Sequence, residues 1–130
     1  MQRIDVAAAI IWNQSEDALL LSKRRNDVHL GGLWEFPGGK IEAIETPEQA
    51  LQRELFEELN IQADSLRFYR QIDYNYPDKA VSLKFYHAYN IQGEVSGKEG
   101  QEWRWVGLDD IHTYNFPAAN QSIVDSLLAK

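Results

Sequence analysis

Three glutamates gathered into one helical turn are the residues of this chain best placed to do chemistry. They lie in the run Arg53-Glu54-Leu55-Phe56-Glu57-Glu58. At about 100° per residue, Glu54, Glu57 and Glu58 share an arc of about 100°, with Cβ atoms within roughly 6 Å of one another. Like charges at this spacing each cost a few tenths of a kcal/mol when exposed, and a hard divalent cation removes that cost. Oxygen-only ligands suit Mg²⁺ or Mn²⁺, which keep several waters and complete their shells with phosphate oxygens. The same pattern also occurs on solvated helix faces, because glutamate is a good helix former. Arg53 could simply pair with Glu57 four residues on, or with Glu45 across the preceding loop.

The elements that must hold this turn are readable around it. Thr46 caps a helix running to Leu59, Pro47 suits its first position, and Gln49 completes a capping box. Leu51, Leu55 and Leu59 form the apolar stripe that clamps it to the body of the protein, and Asn60 sits where a left-handed stop is common. Upstream, Phe36-Pro37-Gly38-Gly39 forces a particular backbone path; the two glycines read as a tight turn that approaches a ligand, or as an ordinary strand-to-helix connection. Val6–Trp12 is uniformly apolar and reads as a central strand, with Ala18–Ser22 returning beside it as a hairpin. Residues 26–33 read as a loop. Leu66–Tyr74 and Val81–Ile91 are strands joined through Tyr76-Pro77-Asp78-Lys79, and in the second Val81, Leu83, Phe85, His87 and Tyr89 point one way. Glu94–Gln101 is a charged, glycine-rich loop, Trp103–Val106 another strand. A last helix runs from about Pro117 to Leu128, with Ile123, Val124, Leu127 and Leu128 facing inward. Several strands, one internal helix and one closing helix favour a sheet packed between helices.

With 130 residues the sequence fits one domain, residues 1–130. It has no cysteine, which excludes disulfides and thiolate nucleophiles. Residues 6–12 are too few to cross a bilayer and the N-terminus lacks a signal-peptide pattern, so a soluble cytoplasmic protein without membrane attachment is expected. A formal charge of −7 disfavours binding to long DNA or RNA. A small polyphosphate meets the same repulsion unless divalent ions or local cations offset it. Lys23-Arg24-Arg25 is the compact basic run, and Lys40 follows the glycines; a solvated strand end is the plain alternative for the run. His29, His87 and His112 make no spaced metal triad and read as structural or exposed.

Gly39, Glu45, Arg53, Glu54, Leu55, Glu57, Glu58 and Ile61 match the Nudix box, G-x5-E-x7-R-E-U-x-E-E-x-G-U with U aliphatic, over 23 residues. Around it, Trp34–Gly39, Thr46–Ala50, Gly97–Gln101 and Pro117–Asn120 resemble the MutT type of that family, the 8-oxo-dGTP diphosphatases. The resemblance implies an α/β/α sandwich around a mixed sheet. It implies metal ligands at Glu54, Glu57 and Glu58, a further one at the Gly39 carbonyl, and Glu99 reaching back as a distal ligand and possible base. Arg53 would orient the carboxylates, with Glu45 pairing to it. Arg24 and Asn120 match residues that contact the oxidised guanine, with Phe36 and Tyr74 near that pocket. Two departures stand out: Asn60 replaces the final glycine of the box, a mild change, and Ile44 occupies a position where the MutT type has glycine, so that turn must be shaped differently.

The implied chemistry is Mg²⁺-dependent pyrophosphohydrolysis of a nucleoside triphosphate, 8-oxo-dGTP to 8-oxo-dGMP and pyrophosphate, as in nucleotide-pool sanitation. Attack would fall on the β phosphorus, with Glu99 or Glu54 as base. The other readings are hydrolysis of CTP, dCTP or modified pyrimidine nucleotides, and a non-catalytic Nudix-fold regulatory module. A small-molecule nucleotide is the expected partner, with no obligate protein partner. Asn120 can donate and accept at a purine edge, although an asparagine early in a helix also serves as a plain cap. Trp34, Phe36, Tyr74 and Tyr76 could stack on a base or belong to the core.

Overall fold

The computed structural model describes residues 3–24 and 31–129; Arg25 and His29 lie outside them. Among the described residues seven strands form one mixed sheet: β1 (Arg3–Trp12), β2 (Ala18–Lys23), β3 (Trp34–Glu35), β4 (Gly38–Lys40), β5 (Gln62–Asn75), β6 (Ala80–Gln92) and β7 (Trp103–Gly107). Helix α1 is Pro47–Leu59 and α2 is Ala118–Leu128. The sheet path is β3-β2-β1-β6-β5, with β4 on β1 and β7 on β2. Only β1 and β6 run parallel among these pairs.

The placement of β1 explains the uniform apolarity of Val6–Trp12. One edge pairs with β6 from Arg3 to Ile11. The other is shared, with Val6–Ala8 opposite β4 and Ile11–Trp12 opposite β2. Both faces are covered as well. Ala7, Ala9 and Ile11 pack with Leu51, Leu55 and Leu59 of α1, while Ala8 and Ile10 pack with Ile123 and Val124 of α2. A strand buried on both faces has no place for a polar residue, and the three alanines let the layers approach closely. The result is the α/β/α sandwich that the motifs imply.

The α1 termini follow their sequence signals. Thr46 and Gln49 form the capping box, Pro47 opens the helix, and Asn60 takes the left-handed conformation at φ 63°. Ile44 is absent from the non-glycine residues with positive φ, which are Glu16, Asn60 and Asn90 among those described. Its side chain is 96% exposed, so the loop before Glu45 takes a path open to a β-branched residue.

Three expectations need correction. Gly38 and Gly39 form a strand, not a tight turn, and neither has positive φ. Their reason is close approach: a Cβ at Gly38 would strike the β1 backbone at Ala7 and Ala8. Leu128 is exposed, because it occupies the final turn of α2, where fewer neighbours cover the helix; Leu127 stays packed on the core. Asn120 is not a cap for its own helix, since Pro117 holds that position. Among the described residues no helix is long and apolar enough to cross a membrane.

Candidate active site

The box residues are organised by Arg53. Its guanidinium binds Glu45 through two bonds, Nε to Oε2 at 2.6 Å and Nη2 to Oε1 at 2.9 Å. Nη1 reaches both Glu54 Oε1 at 2.8 Å and Glu57 Oε1 at 3.0 Å, and Nη2 also donates to the Lys40 carbonyl at 3.1 Å. Sequence left Glu45 and Glu57 as alternative partners for Arg53; the planar fork serves both at once. Glu45 also accepts from the Glu42 N–H at 2.9 Å. These bonds, Arg53 first, hold the Glu45 carboxyl at about 2. Arg53 itself is pushed above the usual guanidinium value, chiefly by the bond to Glu45.

Glu54 and Glu58 experience the opposite environment. Burial raises Glu54, and Arg53 only partly opposes it. Glu58 is pushed up to about 9, first by burial and then by repulsion from Glu35, Glu54 and Glu99, with the Gly38 N–H pulling weakly the other way. Glu58 Oε2 is buried without a hydrogen-bond partner. The place of Gly39 is set by Glu54, because a Cβ there would run into the Glu54 carboxyl. The glycine is a cradle for a carboxylate, not a hinge.

Among the described residues no three donors already stand together as a metal cluster. Arg53 instead draws Glu54 and Glu57 to itself, as expected where like charges need a counterion. The donor set nevertheless fits a hard divalent ion. It contains only oxygens, it includes a partnerless buried carboxylate oxygen on Glu58, and it lies beside a strand left bare to admit the Glu54 carboxyl.

A cleft of about 260 Å³ opens beside Glu58 on the α2 face. Its lining brings together three residues expected from the resemblance, Arg24, Phe36 and Asn120, and the local cation Lys40, along with Gly39 and Glu58. Arg24 is held by its backbone bonds to Leu33 and Gly32, at 2.8 and 3.0 Å. Its guanidinium donates to Glu35 Oε1 at 2.8 Å. Asn120 is 5% exposed and accepts the Phe36 N–H through Oδ1 at 3.3 Å. Phe36 is fully in the core, stacked near Phe116 and edge-on to Phe85, so it forms the floor of the cleft.

Tyr74 falls outside this lining and is 39% exposed. Tyr76, two residues on, occupies the cleft instead, accepting the Ala119 N–H at 3.2 Å through its hydroxyl. The β5–β6 turn brings Tyr76 into the lining and leaves Tyr74 to pack on it, ring centroids 4.7 Å apart. Sequence reasoning also missed Glu35, which touches both Arg24 and the field of Glu58, and Lys79 at the cleft rim. Glu35 precedes Phe36 in a motif already singled out, but nothing in its spacing distinguishes it. His87 is structural: it accepts the Trp12 indole N–H at 3.0 Å.

Glu99 lies on an exposed loop and shares a smaller cavity, about 160 Å³, with Glu58, Glu35 and Arg24. The carboxylates and the cleft are therefore contiguous, joined through Glu58.

A NUDIX domain model matches residues 7–126. The chain is 37% identical over 127 residues to the 8-oxo-dGTP diphosphatase of Escherichia coli, covering 98% of each. It is 31% identical over 129 residues to the CTP pyrophosphohydrolase of Escherichia coli, covering 99% of this chain and 94% of that one. A solved structure of MutT, from work on the Aliivibrio salmonicida and Vibrio cholerae proteins, superposes with a TM-score of 0.87 at 36% identity, covering 98% of both chains. With every charged residue of the box present, its arginine fork formed and these likenesses spanning nearly every residue, the chain belongs to the Nudix hydrolases, within the MutT-type 8-oxo-dGTP diphosphatase family.

Proposed function

We propose that this Nudix hydrolase, whose family acts on nucleotide diphosphate linkages, converts 8-oxo-dGTP to 8-oxo-dGMP and pyrophosphate with Mg²⁺, removing an oxidised precursor from the nucleotide pool. The observation that carries the reading is the continuity of the site: Asn120, Arg24 and Phe36 line the same cleft as Gly39 and Glu58. Base recognition at one end then places the phosphates at the carboxylates.

Glu54, Glu57, Glu58, the Gly39 carbonyl and Glu99 would hold the ion; Mn²⁺ would fit the same oxygens. When bound, it supplies charge neutralisation along the phosphate chain and a more acidic attacking water. In the reaction, a water oxygen bonds to the β phosphorus and the bond from that phosphorus to the α–β bridging oxygen breaks. The products are the monophosphate and pyrophosphate, with no covalent enzyme intermediate. Glu99 or Glu54 takes the water's proton. Conversion to glutamine weakens metal binding at either position, and the group acting as base also loses kcat at saturating metal. Arg53 keeps Glu54 and Glu57 oriented, and Glu45 fixes Arg53. Lys40 and Lys79 at the cleft rim offset the substrate charge that the acidic protein would otherwise repel.

At the base, the Asn120 amide protons face an acceptor on the purine edge while Oδ1 stays on Phe36. Arg24, held by Glu35, lines the same cleft. The relative named CTP pyrophosphohydrolase supports a second reading, hydrolysis of CTP or dCTP. Steady-state kcat/KM for 8-oxo-dGTP, dGTP, CTP and dCTP, with pyrophosphate as readout, separates the two. The first reading expects 8-oxo-dGTP to lead by at least about tenfold, the gain of one additional well-made hydrogen bond. A lead by CTP or dCTP would replace it with the second.

A further inference from the structure

We infer that Gln101 is a positioning residue that pins Glu99 against the carboxylates of α1. The inference rests on the metal-dependent hydrolase reading and deepens it.

A helix leaves its last carbonyls without partners, and α1 has no basic side chain in its last turn to satisfy them. The loop after β6 supplies the donors. Ser96 N–H reaches the Leu59 carbonyl at 3.0 Å, and Lys98 N–H reaches the Glu58 carbonyl at 2.9 Å. Gln101 Nε2 donates to that same Glu58 carbonyl at 3.2 Å. The other end of the Gln101 amide, Oε1, accepts the Glu99 N–H at 3.2 Å. One side chain thus links the backbone of Glu58 to the backbone of Glu99. Lys98 adds a second clasp, its ammonium 4.1 Å from the centre of the Phe56 ring, which explains why a half-exposed phenylalanine stands among the box glutamates.

The link opposes a specific force. Glu58, Glu35 and Glu99 line one small cavity with Lys23 and Arg24, and Glu99 is repelled there as its carboxyl neighbours ionise. A primary amide is suited to the task because it donates and accepts at once without adding charge. Glutamate in its place keeps the acceptor, loses the donor and adds repulsion. Leucine keeps the shape and loses both bonds. Gln101 does not line the base cleft; it lines the small cavity with Glu58 and Glu99 and is bonded to the backbone of both, so the double variant is what assigns its influence to Glu99.

The test compares the full-length protein with Gln101→Leu, Glu99→Gln and the double variant, measuring Mn²⁺ affinity by calorimetry and kinetics on whichever nucleoside triphosphate the wild type cleaves fastest. We expect Gln101→Leu to lower kcat about tenfold at unchanged KM, the equivalent of one hydrogen bond, and to weaken Mn²⁺ binding. The double variant should be no worse than Glu99→Gln alone, because both changes remove the same carboxylate from the site. Multiplying losses, or wild-type Mn²⁺ affinity in Gln101→Leu, would overturn the inference. If Gln101→Leu fails to fold, Gln101→Glu replaces it with the same expected pattern, and Glu99 amide exchange in the wild type must be slow; fast exchange would also overturn it. A wild type that cleaves no nucleotide sinks the hydrolase reading, while the Mn²⁺ and exchange measurements still judge Gln101.

Discussion

The carboxylate site is cut almost entirely from one run of chain, Gly39 to Glu58, whereas the cleft beside it gathers residues from six stretches between Ile4 and Asn120. The first is set by helical spacing and a single arginine fork; the second exists only once β1, β3, β4, the β5–β6 turn and α2 have assembled. The difference teaches where each function is encoded. Chemistry is written locally and depends on charge placement. Selectivity is written in the packing of the α2 face.

Substitutions should divide along that line. The largest effect belongs to Glu58→Gln, which removes a proposed ligand: kcat should fall about 1,000-fold, matching the several kcal/mol a metal site contributes. Its melting temperature without metal should hold or rise, since the change removes a partnerless buried carboxyl. A parallel loss of fold would instead make Glu58 structural.

Next come the two neighbouring glycines, which should fail differently. Gly39→Ala displaces the Glu54 carboxyl and should lower kcat about 100-fold with a modest stability change. Gly38→Ala meets β1 backbone that cannot yield and should cost about 1–3 kcal/mol of stability by denaturant titration. Equal stability losses in the two variants would erase the distinction drawn between cradle and strand contact.

On the cleft side, Asn120→Ala should reduce the preference for 8-oxo-dGTP over dGTP about tenfold, leaving kcat for dGTP within about threefold. It also strands the Phe36 N–H, with a stability cost of about 1–3 kcal/mol. Unchanged preference would remove Asn120 from recognition. Smallest of all, Tyr74→Ala should change KM by no more than about threefold, the scale of an exposed contact, because Tyr76 lines the cleft in its place. A larger effect would restore Tyr74 to the pocket.

The same division governs what could be read from the sequence. Thr46, Pro47, Gln49 and Asn60 announce α1 through neighbouring residues, and Arg53 with its glutamates follows from i, i+3 and i+4 geometry. Alternation along β6 gave the strand and its parity. Tyr76 over Tyr74 could not be read this way, since the turn geometry that swings Tyr76 inward is not a period of the chain. Glu35 was invisible for a similar reason: its chemistry comes from Arg24, eleven residues earlier, and Glu58, twenty-three later. Asn120 looked like a cap because its partner, Phe36, is brought to it only by the packing of α2 on the sheet.

Titrating Mg²⁺ into the folded protein by calorimetry, with a non-hydrolysable nucleoside triphosphate present and in buffers of different ionisation enthalpy, tests the central claim most directly. Glu58 ordinarily titrates at 4.5 and in the fold at about 9, so the ion-free fold keeps a proton that the unfolded chain has lost. That contribution to ion-free stability is whole below about 4.5 and drains away as pH rises to about 9. An ion bound there at pH 7 must displace the proton, so the account predicts release of about one proton per site and an affinity that climbs about tenfold per pH unit across that window. In Glu58→Gln the proton release should vanish. Mg²⁺ uptake without proton release, or uptake that Glu58→Gln leaves untouched, would contradict it.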